Sequence, residues 1–196
     1  MNLIVAITGA SGVIYGVRML EALKKIDNVN TYLIMSNWAI KNIEIETDYT
    51  FEYVKSLADK YLENDNLGEC VASGSFKTNG MIILPCSMKT MSSISNGYSD
   101  GLIGRAADVV IKEGRKLIIC PRETPLSTIH LENMLKLSRI GVKIMPPMPA
   151  FYSKPKSIDN IINHHIMKVL SMFDIEVFEE LRWQGLQNNI KGEKYE

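Results

Sequence analysis

The stretch Leu3-Ile4-Val5-Ala6-Ile7-Thr8-Gly9-Ala10-Ser11-Gly12-Val13-Ile14-Tyr15-Gly16 decides the fold. An apolar run breaks at a Gly/Ser turn, after which Val13, Val17, Leu20 and Leu23 recur at helical spacing. A strand that passes through small residues into a helix leaves the unsatisfied N–H groups of the helix start pointing where a phosphate can sit. The glycines fall as Gly9-x-x-Gly12-x-x-x-Gly16, which is not the dinucleotide spacing G-x-G-x-x-G. The next strand ends Leu33-Ile34-Met35-Ser36, without the acid that a dinucleotide-binding unit places on ribose hydroxyls. Both departures favour a mononucleotide, and Ser36 offers its phosphate a hydroxyl.

The same grammar repeats along the chain. Leu3–Thr8, Thr31–Met35, Met81–Cys86, Lys116–Cys120 and Lys143–Met145 are apolar runs without alternation and read as strands covered on both faces. Helical patterns fill the intervals at Val13–Lys25, Asn37–Ile45, Phe51–Leu62, Lys89–Ser95, Ala106–Glu113 and Ile129–Ile140, with a last one at Ser157–Phe173. The predicted class is α/β, a single Rossmann-like doubly wound parallel sheet in three αβα layers. Residues 1–185 read as one domain and residues 186–196 as a polar tail with too little apolar surface to fold alone.

With 196 residues and 46% hydrophobic content, the chain is long enough for one well-buried core. Lys and Arg number 22 and Asp and Glu number 22, so no global field draws it to nucleic acid or to an anionic membrane. Cys70, Cys86 and Cys120 form no CxxC pair and suit a reduced, cytoplasmic protein. The opening apolar run is too short for a signal segment, and no run reaches the length of a membrane span.

A second hydroxyl-rich turn, Pro85-Cys86-Ser87-Met88-Lys89-Thr90, follows the third strand. Ser87 is placed to cap the following helix, and Ser87, Lys89 and Thr90 offer hydroxyls and amides to an anion. Cys86 reads as a packing residue, since no histidine lies near it in sequence. His164 and His165 are consecutive and point to different sides of a helix, so they make a poor metal pair and are expected at the surface or at an interface. No metal site is expected. Met145-Pro146-Pro147-Met148-Pro149 reads as a rigid, packed loop that places Tyr152. Phe51, Tyr53, Val54 and Leu57 form a stripe suited to core or subunit contact, and Ser157 reads as a helix cap.

Together the motifs resemble the UbiX-type flavin prenyltransferases. The resemblance is carried, in order, by Thr8-Gly9-Ala10-Ser11-Gly12, Glu46-Thr47-Asp48, Ser73-Gly74-Ser75-Phe76, Pro85 to Thr90 and Arg105-Ala106-Ala107-Asp108-Val109. It continues through Pro121-Arg122-Glu123-Thr124-Pro125-Leu126, His130-Leu131-Glu132-Asn133-Met134 and Pro146-Pro147-Met148-Pro149-Ala150-Phe151-Tyr152. Ser36-Asn37-Trp38-Ala39 and Arg182-Trp183-Gln184-Gly185-Leu186 look especially like the small B subunits of 4-hydroxybenzoate and vanillate decarboxylases.

The resemblance implies a flavodoxin-like flavoprotein. Reduced FMN would receive a dimethylallyl group from dimethylallyl monophosphate at N5 and C6, and the prenylated FMN would serve a UbiD-type decarboxylase. It places Gly9, Ala10, Ser11, Ser36, Ser87, Met88, Lys89, Thr90 and Arg122 on flavin-contacting positions, and Tyr152 and Lys168 on prenyl-phosphate positions. Arg105 and Lys112 match the family's cationic cluster, which would take the place of a metal on the departing phosphate. Glu46 and Glu123 match its acidic positions for proton handling, and Trp183 its aromatic wall. The family assembles as homo-oligomers, commonly dodecamers, with sites near subunit contacts. Related flavin-dependent cysteine decarboxylases share Pro-x-Ser-x-x-Thr but carry an early catalytic histidine, whereas the first here is His130. A non-catalytic FMN-binding accessory subunit is the other alternative.

Overall fold

A computed structural model describes residues 1–183 and 185, in two compact units, Met1–Pro147 and a second that begins at Met148. The proposed tail from residue 186 lies outside the described residues, as does Gln184. In the first unit the order is β1 (Asn2–Ile7), α1 (Val13–Leu23), β2 (Asn30–Met35), α2 (Asn37–Glu46), α3 (Phe51–Ser56), β3 (Lys60–Glu63) and β4 (Gly80–Cys86). It continues with α4 (Met88–Ser95), α5 (Leu102–Lys112), β5 (Lys116–Pro121), α6 (Thr128–Arg139) and β6 (Lys143–Ile144). The second unit is built on α7 (Ile158–Leu170).

The strands form one parallel sheet in the order β3-β2-β1-β4-β5-β6. From β1 the chain winds outward through β2 to β3, and from β4 it winds the other way to β6. Right-handed connections then place α1–α3 and α4–α6 on opposite faces. Alternate residues show both faces covered. Ile4, Ala6, Ile34, Met81, Ile83 and Ile119 pack with Met91, Ala106, Val110 and Leu137 of the α4–α6 layer. Their neighbours Leu3, Val5, Leu33, Ile82 and Ile118 are equally buried from the other side. This is why the strands read as unbroken apolar runs.

β3 departs from the sequence reading, which continues a helix to Leu62. The helix stops at Ser56 because Lys60–Glu63 pairs with the open edge of β2, Tyr32↔Lys60 to Met35↔Glu63. Asp59 prepares the pairing, since its carboxylate accepts the Thr31 N–H at 2.7 Å. In the stripe before it, Val54 and Leu57 enter the core, whereas Tyr53 is exposed, stacks on Tyr49 and donates to Glu21 at 2.7 Å. The proline loop also differs from expectation, because Met148 is 69% exposed and so not packed. His164 and His165, expected at the surface or at an interface, are both buried within the chain on α7.

Two glycines of the opening motif have distinct causes. Gly12 is the N-cap of α1 at φ 95°, a left-handed conformation that L side chains rarely adopt. Gly16 lets α1 approach β4, since a Cβ there would lie 2.8 Å from the Leu84 carbonyl oxygen and 2.6 Å from Ile7 Cδ1. The carbonyl belongs to the sheet and cannot yield. Gly16→Ala is therefore expected to lower unfolding free energy by about 1–3 kcal/mol despite alanine's better helix propensity, as measured by denaturant titration.

Burial, with His164 adjacent, lowers the His165 imidazole from its ordinary 6.5 to about 4. Between those values the unfolded chain binds a proton that the folded chain refuses, so stability is complete above pH 6.5 and falls as pH drops towards 4. The full effect is about 3 kcal/mol. Chemical denaturation from pH 7.5 to 4.5 should show this slope in the wild type and a flatter one in His165→Gln.

Candidate functional site

The carboxyl ends of β1, β2, β3 and β4 meet at the switch point of the sheet, where strand order reverses between β1 and β4. A cavity of about 410 Å³ opens there, lined by Gly9, Ser36, Trp38, Asn64, Ser87, Lys89, Thr90, Asp100 and Gly104 among others. Ser36 caps α2 by accepting the Ala39 N–H at 3.1 Å, and Ser87 caps α4 by accepting the Thr90 N–H at 3.3 Å. The Ser87 and Thr90 hydroxyls lie 3.1 Å apart. Two helix starts with hydroxyl caps thus converge on one cavity, each adding partial positive charge to it. Lys89 adds a full charge and pairs with Asp100 at 3.5 Å, and Met88 opens α4 beside it. Trp38 is 63% exposed at the cavity wall, with Lys41 4.8 Å from its ring centre.

The first turn is used differently from the sequence reading. The Glu46 carboxylate, at the end of α2, accepts the N–H groups of Gly12 (2.7 Å) and Val13 (3.1 Å). A side-chain anion therefore already occupies the start of α1, the position expected to receive phosphate. Ala10 and Ser11 remain in the turn, tied from both sides. The Ala10 carbonyl accepts from Asn42 at 3.3 Å, and the Ser11 carbonyl accepts from Arg122 Nε at 3.2 Å. Arg122 also donates its backbone N–H to the Cys86 carbonyl at 3.2 Å, which fixes the end of β5 against that of β4. Glu123 follows it, exposed, and accepts the Thr124 N–H at 3.0 Å.

Arg105 and Lys112 do not join this group. The Arg105 guanidinium donates to the Ala72 carbonyl (3.0 Å) and to Asp108 (2.8 Å), so it is turned towards the Cys70–Ala72 segment. Lys112 ends α5 and pairs with Glu113. α5 runs back along the sheet, and β5 then needs six residues, about 20 Å of strand, to reach Arg122. Lys112 thus lies at the opposite edge of the sheet from Arg122 of the same chain. Cys86 is fully buried and its thiol is pushed strongly upward by desolvation, which leaves the packing role. His130 forms a capping box with Ser127 at the start of α6. Among the described residues, no three His, Cys, Asp or Glu side chains cluster as a metal site.

In the second unit, Tyr152, Lys168 and Trp183 gather about α7. The Tyr152 ring meets Trp183 edge-on at 5.6 Å, and its hydroxyl lies 2.6 Å from His164 Nε2. Lys168 is one helical turn beyond His164, and Ser157 caps α7 by accepting the Asn160 N–H at 3.2 Å.

Sequence reasoning missed Asn64, Trp38 and Asp100. Asn64 caps α5 from a distance, its carbonyl accepting the Leu102 N–H (2.6 Å) and its side chain the Ile103 N–H (3.0 Å). No local pattern marks a cap 39 residues before the helix it serves. The signal available was Gly101, an N-cap that brings no side chain of its own.

Residues 1–170 match the Flavoprotein family. A probable UbiX-like flavin prenyltransferase of Escherichia coli is 55% identical over 186 residues, spanning 95% of this chain and 94% of its own length. A solved dodecameric FMN-dependent UbiX-like decarboxylase from Escherichia coli O157:H7 is 55% identical with a TM-score of 0.93, covering 94% of this chain and 100% of that one. The structure of AnUbiX (PadA1) in complex with FMN and dimethylallyl pyrophosphate is 46% identical with a TM-score of 0.92, covering 94% and 98%. A shared sheet alone would not require such identity across nearly the whole of both chains, and the protein belongs to the UbiX-like flavin prenyltransferases, within the Flavoprotein family.

Proposed function

We propose that this protein transfers a dimethylallyl group from a dimethylallyl phosphate to N5 and C6 of reduced FMN, making prenylated FMN for a UbiD-type aromatic acid decarboxylase. One observation carries the reading. The Ser36 and Ser87 helix starts converge on a 410 Å³ cavity, in a chain 46% identical to a relative that holds FMN and dimethylallyl pyrophosphate. The cavity suits FMN by its chemistry: hydroxyls, helix N-termini and Lys89 for a phosphate, and the apolar face of Trp38 for a ring. Ser36, Ser87, Thr90 and Arg122 would hold the cofactor, with Gly9, Ala10 and Ser11 lining the first turn.

When bound, reduced FMN supplies the electron-rich N5 and C6 atoms that take up the prenyl group. The chain's own task is to hold the donor phosphate and to manage protons. Tyr152 and Lys168 hold that phosphate, the lysine countering the charge that grows on the departing oxygen. Trp183, edge-on to Tyr152, walls the phenol side and excludes water. Glu123 handles the proton, because the Glu46 carboxylate is engaged at the start of α1 and acts by fixing the first turn.

We extend to this chain the dodecameric assembly of the solved Escherichia coli relative. Lys112 reaches a flavin site only from another copy, being at the far edge of its own sheet. On α6, Leu131 and Leu135, one turn apart, stand exposed as an apolar face that such contacts would cover. Among the described residues no helix is long and apolar enough to cross a membrane. The reading places the enzyme in the cytoplasm, where its thiols stay reduced.

The deciding experiment is anaerobic. Purified protein, reduced FMN and dimethylallyl monophosphate, without added metal, should release a flavin heavier by one prenyl unit. An unchanged flavin mass with both the monophosphate and the diphosphate, from protein that demonstrably holds FMN, would replace this reading with a non-catalytic accessory subunit. Two substitutions should separate binding from transfer. Ser87→Ala removes a cap and a cavity hydroxyl and is expected to weaken FMN about tenfold by fluorescence titration. Glu123→Gln should bind FMN normally and slow transfer about a hundredfold in single-turnover assays.

A further inference from the structure

The second unit holds a contact that the reading above does not use. His164 lies on the face of α7 one turn before Lys168, and its Nε2 is 2.6 Å from the Tyr152 hydroxyl. The two rings meet edge to face, with centroids 5.3 Å apart at 75°. Trp183 takes another edge of the same phenol at 5.6 Å and 74°. Tyr152 is 49% exposed, while His164 is buried. A phenol so exposed has few contacts of its own to fix where its hydroxyl points. The buried imidazole is the group that fixes it.

The bond has a direction. A neutral imidazole has one N–H and one bare nitrogen. If Nε2 is bare, it accepts the phenol proton, and Tyr152 shows only lone pairs outward. If Nε2 carries the proton, it donates to the phenol oxygen, and the phenol proton is left free to point elsewhere. A phosphate ester near neutral pH offers mainly acceptor oxygens, so only the second arrangement lets Tyr152 donate to it. Burial, with Lys168 adding repulsion, holds the imidazole below its ordinary range, so at pH 7 the choice lies between tautomers and no net charge is added.

We propose that His164 is a positioning residue for the prenyl donor: Nε2–H donates to the Tyr152 oxygen and thereby aims the phenol proton at the donor's phosphate. The proposal rests on Tyr152 contacting that phosphate, as argued above. It assigns His164 no contact with substrate or flavin. Its whole effect passes through one hydroxyl, which a double-substitution cycle can isolate. Removing the donor removes the aim. His164→Phe keeps a flat ring of similar size and loses Nε2, whereas His164→Gln restores an N–H donor at comparable reach.

The test uses the full-length protein, with FMN affinity recorded for each variant as the control for folding. Binding of dimethylallyl monophosphate to protein loaded with oxidised FMN is measured by calorimetry, and KM and kcat with reduced FMN. His164→Phe is expected to weaken donor binding and raise KM about tenfold, with kcat and FMN affinity within about twofold of wild type. His164→Gln should recover most of the loss. Tyr152→Phe should weaken donor binding by a similar factor, and adding His164→Phe to it should change nothing further. In ¹⁵N spectra, saturating donor should bring the His164 signal to the Nε2-protonated tautomer. Multiplicative losses in the double variant, unchanged donor binding in His164→Phe, or an Nδ1-protonated tautomer in the donor complex would each overturn the proposal. A wild-type protein that makes no prenylated flavin would instead overturn the functional reading on which it rests.

Discussion

Thr8, fully buried just past the end of β1, donates its hydroxyl proton to the Pro85 carbonyl at 2.9 Å and accepts the Ser87 N–H at 2.7 Å. Its own N–H reaches the same carbonyl at 3.2 Å. The β1–β4 ladder ends at Ala6↔Ile83, so beyond that pair the hydroxyl and backbone N–H of this one residue together hold the central strands. They stay together at the reversal of strand order, where the cavity opens. Without the hydroxyl the Pro85 carbonyl would keep the Thr8 N–H, but the Ser87 N–H would lose its acceptor at a cost of about 1–3 kcal/mol, a large share of a marginal stability.

The site's remaining geometry follows from that junction. With Ser87 held by its N–H, its side chain is free to cap α4 and face the cavity. Arg122 then fastens β5 to the end of β4 through Cys86 and reaches across to the first turn through Ser11. Glu46 secures the same turn from the α2 side. Residues from β1, α2, β4 and β5 are thus bound to one another by hydrogen bonds that need no ligand. A cofactor entering such a site meets groups already in place, which lowers the ordering cost of binding.

Much of this was legible in sequence because its causes are local. Buried parallel strands announce themselves as unbroken apolar runs, and Ser87 and Ser157 announce caps because each stands at the start of a helical pattern. β3 was illegible for the opposite reason. Lys60-Tyr61-Leu62-Glu63 has no strand signature, and only the vacant edge of β2 makes it one. The same holds for Glu46, whose partners are more than thirty positions away, and for Asn64, whose helix is nearly forty. Lys112 shows the limit of matching motifs alone, since a family position gives a residue's type and not where the fold puts it, here beside Glu113 at the end of α5. The adjacency of His164 and His165 bears on metal ligation alone and says nothing of a phenol twelve residues earlier.

Cys86 stands one residue before Ser87, which lines the switch-point cavity, yet its sulfur is turned into the core and held as a neutral thiol by desolvation. An enzyme that loosens an allylic phosphate creates a strong alkylating agent beside its own side chains, and a thiolate is the group that such an agent attacks most readily. In the proposed reaction, the sulfur is thus kept from that agent by its burial in the core and by its protonation state.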